Sequence, residues 1–146
     1  MTTKYYLNEE LSKSIYFSNQ ELIIKKECYN NIFRLISSDI DILSMISKKA
    51  WKIAYGSMLV SPEIPIQVRH CFLLDENNQV IDPTLINLQK DTDGIFYHVA
   101  FTFDSMAAYT DAILKNDLQP DLGLLYSNEW RKFEAELFQL GTICIA

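Results

Sequence analysis

The spacing of apolar residues predicts a helix in the first third of the chain. Residues 18–21 have the form of a capping box, in which Ser18 and Glu21 each satisfy an exposed amide at a helix start. From there the pattern is helical to about Ser38, and four apolar residues share one face of its second half: Tyr29, Ile32, Phe33 and Ile36. Three polar residues, 25–27, stand immediately before Cys28. The sequence leaves open whether the helix continues through them or breaks there.

The middle of the chain has the short apolar runs that are typical of β-strands. Residues 39–49 predict a short helix and a loop, and strands are predicted at 51–60, 66–74, 79–85 and 96–103. Only a few polar residues separate the second and third of these strands. We therefore expect those two strands to form an antiparallel hairpin.

Helices return at the end of the chain, and they set the fold class. Asp104 or Ser105 can cap a helix that ends near Lys115. A final helix begins after Ser127, with Gly141 as its predicted stop. The order of helix, antiparallel strands and helices indicates an α+β fold. At 146 residues the chain has the length of one domain, in which an N-terminal helix packs on a small antiparallel sheet.

Composition and charge argue against several classes of partner. The net charge is −6, and the basic residues that adjoin form pairs, at 25–26 and 48–49, and no stripe. Nucleic acids and acidic membranes need a clustered cationic face, so we expect neither as a partner. The first twenty residues do not resemble a signal peptide, and no apolar run is long enough for a membrane span. These features predict a cytoplasmic protein, although delivery as an effector stays open.

The three cysteines and four glycines of the chain carry no cofactor signature. The cysteines have no CxxC spacing and are odd in number, so we interpret them as thiols in a reducing compartment. The scattered glycines form no phosphate-binding loop. We therefore predict no cofactor and no structural metal.

His70 and Asp82 lie on the two strands of the predicted hairpin. If the hairpin turns around Glu76, His70 lies directly opposite Asp82. An ionised Asp82 then accepts a hydrogen bond from one ring nitrogen of His70 and leaves the other nitrogen free to act as a base. Pro83 restricts Asp82 to extended conformations, which suits an acid held at a strand end.

Cys28 is the candidate nucleophile that would complete a site with this pair. A thiol in the first turn of a helix is biased toward the thiolate, because unpaired amides and the helix dipole favour negative charge there. Within reach of His70 it would be an activated nucleophile. Cys71 faces the other side of its strand and Cys144 lies past the predicted helix stop, so both are weaker candidates. If the helix is continuous from Ser18, Cys28 is instead an inert mid-helix thiol.

Four blocks of the sequence carry a resemblance to a known family. They are Cys28-Tyr29-Asn30-Asn31, Tyr55-Gly56, RHCFLLDENNQVIDPT at 69–84 and FYHVAFTFDSMAAYTDAIL at 96–114. Between Glu27 and about Leu124, the chain resembles small bacterial and phage proteins related to the papain-like and transglutaminase-like cysteine fold. The block that joins the histidine to Asp-Pro-Thr is the most specific of the four.

This resemblance implies a catalytic triad. Cys28 would be the nucleophile, His70 the general base and then acid, and Asp82 the residue that orients the histidine. An acyl-thioester intermediate would follow, and the oxyanion would be held by the backbone amide of Cys28 and a side-chain donor. Asn31 matches the family pattern, but the resemblance assigns it no oxyanion role.

The resemblance also implies a domain organisation, and the chain departs from the family at two points. A single domain would span 1–146, with its core at about 18–125 and a C-terminal helix and tail at 126–146. Glu27 stands where such enzymes often have a small or amide residue, and a carboxylate close to the thiolate would raise the thiol pKa. Cys71-Phe72 stands where a small residue and a tryptophan are usual.

The function that these residues predict is a cysteine-dependent acyl-group enzyme. It would be an amide or thioester hydrolase, a glutamine deamidase or an acyl transferase, acting on a protein, a peptide or a small amide or thioester. One alternative is a non-catalytic binding, adaptor or inhibitor module in which Cys28 only packs. A metal site from Cys28, His70, Asp82 and Cys71 lacks short-range ligand spacing.

The remaining candidates are aromatic or imidazole side chains near the predicted site. His98 has no paired acid, and we predict a structural role for it. Tyr55, Phe96 and Tyr97 could line a cleft beside the histidine or pack in the core. Tyr55 and Gly56 are supporting residues of the predicted site through the family pattern alone.

Overall fold

The computed structural model describes residues 3–88 and 91–146, which form six α-helices and six strands. The helices are α1 (Glu9–Ser18), α2 (Cys28–Ser38), α3 (Ile40–Ser47), α4 (Pro83–Asn87), α5 (Met106–Lys115) and α6 (Ser127–Gln139). The strands are β1 (Tyr5–Tyr6), β2 (Lys52–Ser61), β3 (Ile64–Leu74), β4 (Val80–Ile81), β5 (Phe96–Phe103) and β6 (Ile143–Ile145). A short 3-10 helix, Gln20–Leu22, lies between α1 and α2.

The strands form one mixed sheet that closes on itself. The order is β1-β5-β2-β3-β4 with antiparallel pairing throughout, and β6 adds to β3 in parallel. Leu7, which follows β1, bridges Val80 of β4, and the N–H of Asn8 donates to the carbonyl of Val80 at 2.8 Å. The first and last strands of the order are thereby joined, and the described residues form a single α+β domain.

Alternating side chains of the central strands build two hydrophobic clusters, one on each face of the sheet. The inner face carries Ala54, Phe72, Leu74 and Tyr97. The outer face carries Ile53, Tyr55, Cys71 and Leu73. Helices α2, α5 and α6 cover the outer face through fully buried side chains, among them Ile32, Tyr109 and Trp130.

Most of the predicted elements are confirmed. Strands β2, β3 and β5 lie within two residues of the predicted ranges, and α3 falls within the predicted 39–49. Ser105 caps α5 by accepting the N–H of Ala108 at 3.1 Å, and α6 begins at Ser127. Gly141 follows α6 with a positive φ of 84°, as its predicted role of helix stop requires. The α+β class is confirmed.

The predicted start of the first helix is wrong. Ser18 is the last residue of α1, which begins at Glu9 and is capped by Asn8, whose side chain accepts the N–H of Leu11 at 3.1 Å. The sequence did not predict α1. The core also extends beyond the predicted 18–125, because Ile15 of α1 and Trp130 of α6 both belong to the outer-face cluster.

The strand predicted at 79–85 is correct only in its first half. β4 ends at Ile81, and Asp82 caps α4 by accepting the N–H of Leu85 at 3.2 Å. Pro83 occupies the first helical turn, where its missing N–H costs nothing. An acid followed by proline is therefore a helix start here, and Asp82, with φ −137° and ψ 81°, has the conformation of its cap.

Candidate active site

Cys28 lies at the N-terminus of α2, because the chain breaks immediately before it. Lys26 adopts a left-handed φ of 66°, and Glu27 precedes the helix without a side-chain capping bond. The alternative of a continuous helix from Ser18 is therefore excluded. The backbone N–H groups of the first turn point past Cys28 without helical partners, which favours negative charge at the thiol. The residue is 8% exposed.

His70 and Asp82 are in direct contact, although the predicted hairpin register is wrong. Leu73 pairs with Ile81 and Leu74 with Val80, so the turn is centred one residue later than predicted. Asp75 fixes that turn by accepting the N–H groups of the turn residues 77 and 79 at 2.8 and 2.9 Å. The shift leaves the histidine and the acid on the same face, and the His70 Nε2 lies 2.7 Å from the Asp82 Oδ2.

Asp82 is fully buried, and hydrogen bonds surround its carboxylate. Its Oδ2 accepts the hydroxyl of Tyr97 at 2.7 Å as well as the His70 ring, and its Oδ1 accepts the N–H of Leu85. Its own N–H donates to the Ser12 Oγ at 3.0 Å. Charge-assisted hydrogen bonds of this kind are roughly twice as strong as neutral ones. They hold the carboxylate in one orientation toward the histidine.

His70 is 6% exposed and forms an ion pair with Asp82. Burial by itself lowers the pKa of His70, but the charges of Asp82 and Cys28, and hydrogen bonds with both, together raise that pKa well above 6.5. Because Nε2 is bonded to Asp82, the other ring nitrogen, Nδ1, is the one left for the Cys28 thiol. The ring also stacks on Phe72 of the inner face, with centroids 6.1 Å apart.

The other two cysteines are poor nucleophiles in this structure. Cys71 packs in the outer-face cluster, as its alternation with His70 predicted, and burial, followed by the charge of Cys28, raises its thiol pKa well above 9.0. Cys144 lies in β6, where burial and then Glu134 raise its thiol pKa to about 12. Both groups are therefore protonated at neutral pH.

Asn31 fastens the helix of Cys28 to the loop that carries Asp82. Its Oδ1 accepts the N–H of Ile24 at 2.9 Å, and its Nδ2 donates to the carbonyl of Ile24 at 2.8 Å and to the Thr84 Oγ1 at 2.9 Å. Arg34 supports it by donating to Asn31 Oδ1 at 2.6 Å. We call these four residues, Ile24, Asn31, Arg34 and Thr84, the Asn31 clasp.

Glu27 forms an ion pair with the same arginine. The Arg34 Nη2 lies 3.1 Å from the Glu27 Oε1, and both side chains are partly exposed. The carboxylate that departs from the family pattern therefore has a cationic partner beside it. This pairing reduces its repulsion of a thiolate at Cys28.

Tyr55 and Gly56 have structural contacts, and Gly56 meets His70 only as its backbone partner in the sheet. The Tyr55 hydroxyl donates to the carbonyl of Pro120 at 2.5 Å on the outer face, and its ring stacks with those of Tyr29 and Phe101. Gly56 pairs with His70 across the β2–β3 ladder. A Cβ at this position would meet the carbonyl oxygen of His98 in β5 at 1.9 Å, so only glycine fits there.

The sequence missed several side chains that complete the surroundings of the triad. The sequence predicts only a cleft or core role for Tyr97, yet its hydroxyl donates to the carboxylate of Asp82. Its alternation with Phe96 and His98 places it on the inner face, which is the only sequence signal that could have found it. Ser12 lies in the unpredicted α1, so no local pattern links it to Asp82.

Comparisons with known proteins leave the chain unassigned. No family model, no curated protein and no solved structure matches it. Among residues 3–88 and 91–146, no group of three or more His, Cys, Asp or Glu side chains is arranged to hold a metal ion. Within the same residues, no helix has both the length and the apolar character that crossing a bilayer requires.

Proposed function

We propose that this protein is a cysteine-dependent acyl-group enzyme with a Cys28–His70–Asp82 triad. The observation that carries the proposal is the position of His70: its Nε2 lies 2.7 Å from Asp82, and Cys28, at a helix N-terminus, contributes to the raised pKa of the histidine. The arrangement supplies a nucleophile, a base that can also act as an acid, and a residue that orients that base. These are the requirements of acyl transfer through a thioester.

The first half of the reaction forms the acyl-enzyme. The Cys28 Sγ attacks the carbonyl carbon of an amide or thioester, and the carbonyl π electrons move to the oxygen. The helix amides at the N-terminus of α2, with that of Cys28 foremost, stabilise this oxyanion. When the carbonyl re-forms, the bond to the amine or thiol breaks, and the leaving group takes the proton from His70 Nδ1.

The second half releases the acyl group to an acceptor. His70, now neutral, takes a proton from water or from an amine, and the acceptor attacks the thioester carbon. Collapse of this second tetrahedral intermediate returns Cys28 as the thiolate and His70 as the imidazolium. Hydrolysis, glutamine deamidation and transfer to an amine share this intermediate and differ only in the substrate and the acceptor.

We further propose that the domain is a small papain-like or transglutaminase-like fold. Three features support this: the cysteine helix packs against the sheet, the histidine lies on a central strand, and the acid follows the next strand. The free cysteines fit a reducing compartment, which supports a cytoplasmic location. Proposed substrates are proteins, peptides, or small amides and thioesters.

One observation favours a second candidate function, a non-catalytic binding module on the same fold. Cys28 and His70 are 8% and 6% exposed, so a substrate has only a narrow approach to the thiol. In a binding module, Cys28 and His70 would be buried because they are ordinary core residues. The two functions differ in the reactivity of the thiol, which can be measured directly.

The deciding experiment is the pH dependence of iodoacetamide alkylation at each cysteine, read by peptide mass spectrometry. We expect Cys28 to be alkylated at neutral pH much faster than Cys71 and Cys144. His70→Ala should slow this labelling by about tenfold or more at neutral pH. His98→Phe is the matched control, since it removes the other buried histidine and should leave the rate at Cys28 unchanged.

Cys71 and Cys144 serve as internal references in the same digest. Their raised pKa values predict slow labelling of both in the folded protein. A Cys28 that labels as slowly as Cys71, or at a rate indifferent to His70→Ala, would rule out the enzyme and leave the binding module.

A further inference from the structure

A second cluster of buried polar side chains lies on the outer face of the sheet. Ser57 of β2, Gln67 of β3 and His98 of β5 are all buried, and His98 is 2% exposed. Ser57 donates its hydroxyl to the Gln67 Oε1 in a short hydrogen bond, and the His98 Nδ1 lies 2.9 Å from the same oxygen. We call these three residues the outer polar cluster. The proposed enzyme makes no use of it.

Two side-chain nitrogen atoms of this cluster take part in none of its hydrogen bonds. The Gln67 Oε1 accepts from both neighbours, so the His98 Nδ1 must carry the hydrogen. The pKa of His98 is lowered to about 4 by burial, followed by the charge of Lys4, and the ring is neutral at pH 7. Its Nε2 is therefore a hydrogen-bond acceptor, and the Gln67 Nε2 is a donor. Neither has a hydrogen-bond partner among the residues that the structure describes.

Both of these side chains line a cavity of about 430 Å³. Its walls are apolar, and the residues that form them are Leu59, Pro65, Phe96 and Leu140. Lys4 stands at the same cavity, with its Nζ 4.4 Å from the centroid of the Phe96 ring. An apolar cavity with a few convergent polar groups is the usual form of a small-molecule site.

The two nitrogen atoms are accessible from the cavity, although the residues that carry them are buried. Neither atom is among the buried side-chain atoms that lack a hydrogen-bond partner, which among the described residues are Arg69 Nε, the Tyr109 hydroxyl and Trp130 Nε1. Solvent in the cavity can bond to them, so a ligand that displaces it must offer equivalent hydrogen bonds. A donor and an acceptor that line one cavity match a ligand group that offers the complementary pair.

We propose that this cavity binds a small molecule with an aromatic or apolar body and a primary carboxamide or similar donor–acceptor group. The ligand N–H donates to the His98 Nε2, its carbonyl accepts from the Gln67 Nε2, and its body packs against Phe96 and Leu140. Lys4 favours an anionic substituent at the opposite end. The site is separate from the proposed active site, because Cys28, His70 and Asp82 are not among the residues that line the cavity.

The test uses three defined probes with the full chain, and it reads chemical shifts by NMR titration. Benzamide carries the donor–acceptor group, N,N-dimethylbenzamide lacks the N–H donor, and para-carbamoylbenzoate adds an anion. We expect saturable shifts at His98 with benzamide and about tenfold weaker binding of the dimethyl compound. para-Carbamoylbenzoate should bind more tightly than benzamide, and Lys4→Met should remove that gain.

Variants separate this site from the proposed active site. His98→Phe and Gln67→Met should each weaken benzamide binding by about tenfold, whereas Cys28→Ser should leave it unchanged. Equal binding of benzamide and its dimethyl derivative to the wild-type protein, or no saturable shift near His98, would overturn the proposal. The comparison of probes needs no variant, so it decides even if a core substitution fails to fold.

Discussion

The two histidines of this chain lie on opposite faces of one sheet, and burial affects them differently. Both are almost inaccessible to solvent, yet the pKa of His70 is raised and that of His98 is lowered to about 4. His70 contacts the carboxylate of Asp82, whereas His98 contacts the neutral amide of Gln67 and lies near Lys4. The charge of the partner therefore decides which protonation state the core holds.

This contrast separates what each face of the sheet can do. The inner face stabilises an imidazolium, which can in turn stabilise a thiolate at Cys28. The outer face stabilises a neutral imidazole, whose free nitrogen can accept a hydrogen bond but carries no charge for catalysis. Gly56 lies between them, paired with His70 on one side and in close approach to the His98 carbonyl on the other.

Removal of the Asp82 carboxylate should abolish the opposite pKa shifts of His70 and His98. Of the changes proposed here, we expect it to have the largest effect on stability. Asp82→Asn leaves His70 buried beside a neutral partner, so its pKa should fall below 6.5, as that of His98 does. We expect a loss of about 3–5 kcal/mol in the free energy of unfolding at pH 6. Urea denaturation, with histidine titration by NMR, measures both quantities.

The pH dependence of this loss has a defined sign. The raised pKa of His70 stabilises the wild type fully below pH ~6.5, and this contribution disappears as the pH rises through the folded pKa. The gap between wild type and Asp82→Asn should therefore narrow in alkaline solution. Asp39→Asn is the control, since Asp39 also accepts backbone N–H groups, at the start of α3, and does not contact His70. A variant with an unchanged His70 pKa would contradict this account.

Gly56→Ala should disturb both faces at once. Its Cβ would lie 1.9 Å from the carbonyl oxygen of His98, so β5 must move away from β2. Overpacking of this kind costs about 3 kcal/mol, and we expect a loss of that size in thermal or urea unfolding. Gly123→Ala is the matched control, because the nearest atom to its added Cβ is 3.7 Å away. Equal stability of the two variants would show that β5 can move away from β2 without a loss in the free energy of unfolding.

Loss of the Asn31 clasp should disturb the surroundings of His70 and leave those of His98 unchanged. Asn31→Ala removes the side-chain partners of Ile24 and of the Thr84 hydroxyl, and we expect a destabilisation of about 2–3 kcal/mol. Hydrogen exchange at Ile24 should accelerate, and the resonances of His70 should shift. Asn30→Ala, an exposed change on the same helix, is the control. A shift at His98 of the same size would argue against a local clasp.

The smallest expected effect concerns His98 in acid. Its pKa of about 4 lies below the ordinary 6.5. As the pH falls from 6.5 to 4, the unfolded chain therefore binds a proton at His98 that the folded protein does not bind. We expect the wild type to lose about 1–2 kcal/mol over this interval, a reduced figure because the neighbouring cavity admits solvent. His98→Phe should lack this part of the acid dependence, as equilibrium unfolding at a series of pH values will show.

The sequence predicted the elements whose local pattern is strong. The apolar runs of β2, β3 and β5 have the length and residue types of strands, and Ser105, Ser127 and Gly141 mark helix ends by local chemistry. It failed where two local signals compete. Residues 18–21 have the form of a capping box but follow a helix that Asn8 had already begun, and Asp82-Pro83 has the features of a strand end and of a helix cap.

The sequence by itself determined that the chain forms an α+β domain and that Cys28, His70 and Asp82 are its chemical candidates. Only the tertiary structure decided that His70 meets Asp82, because a turn fixed by Asp75 and an early end of β4 set their contact. It also decided the opposite protonation of the two histidines. A pKa depends on the charges within a few ångströms in space, and residues distant in the chain supply those charges.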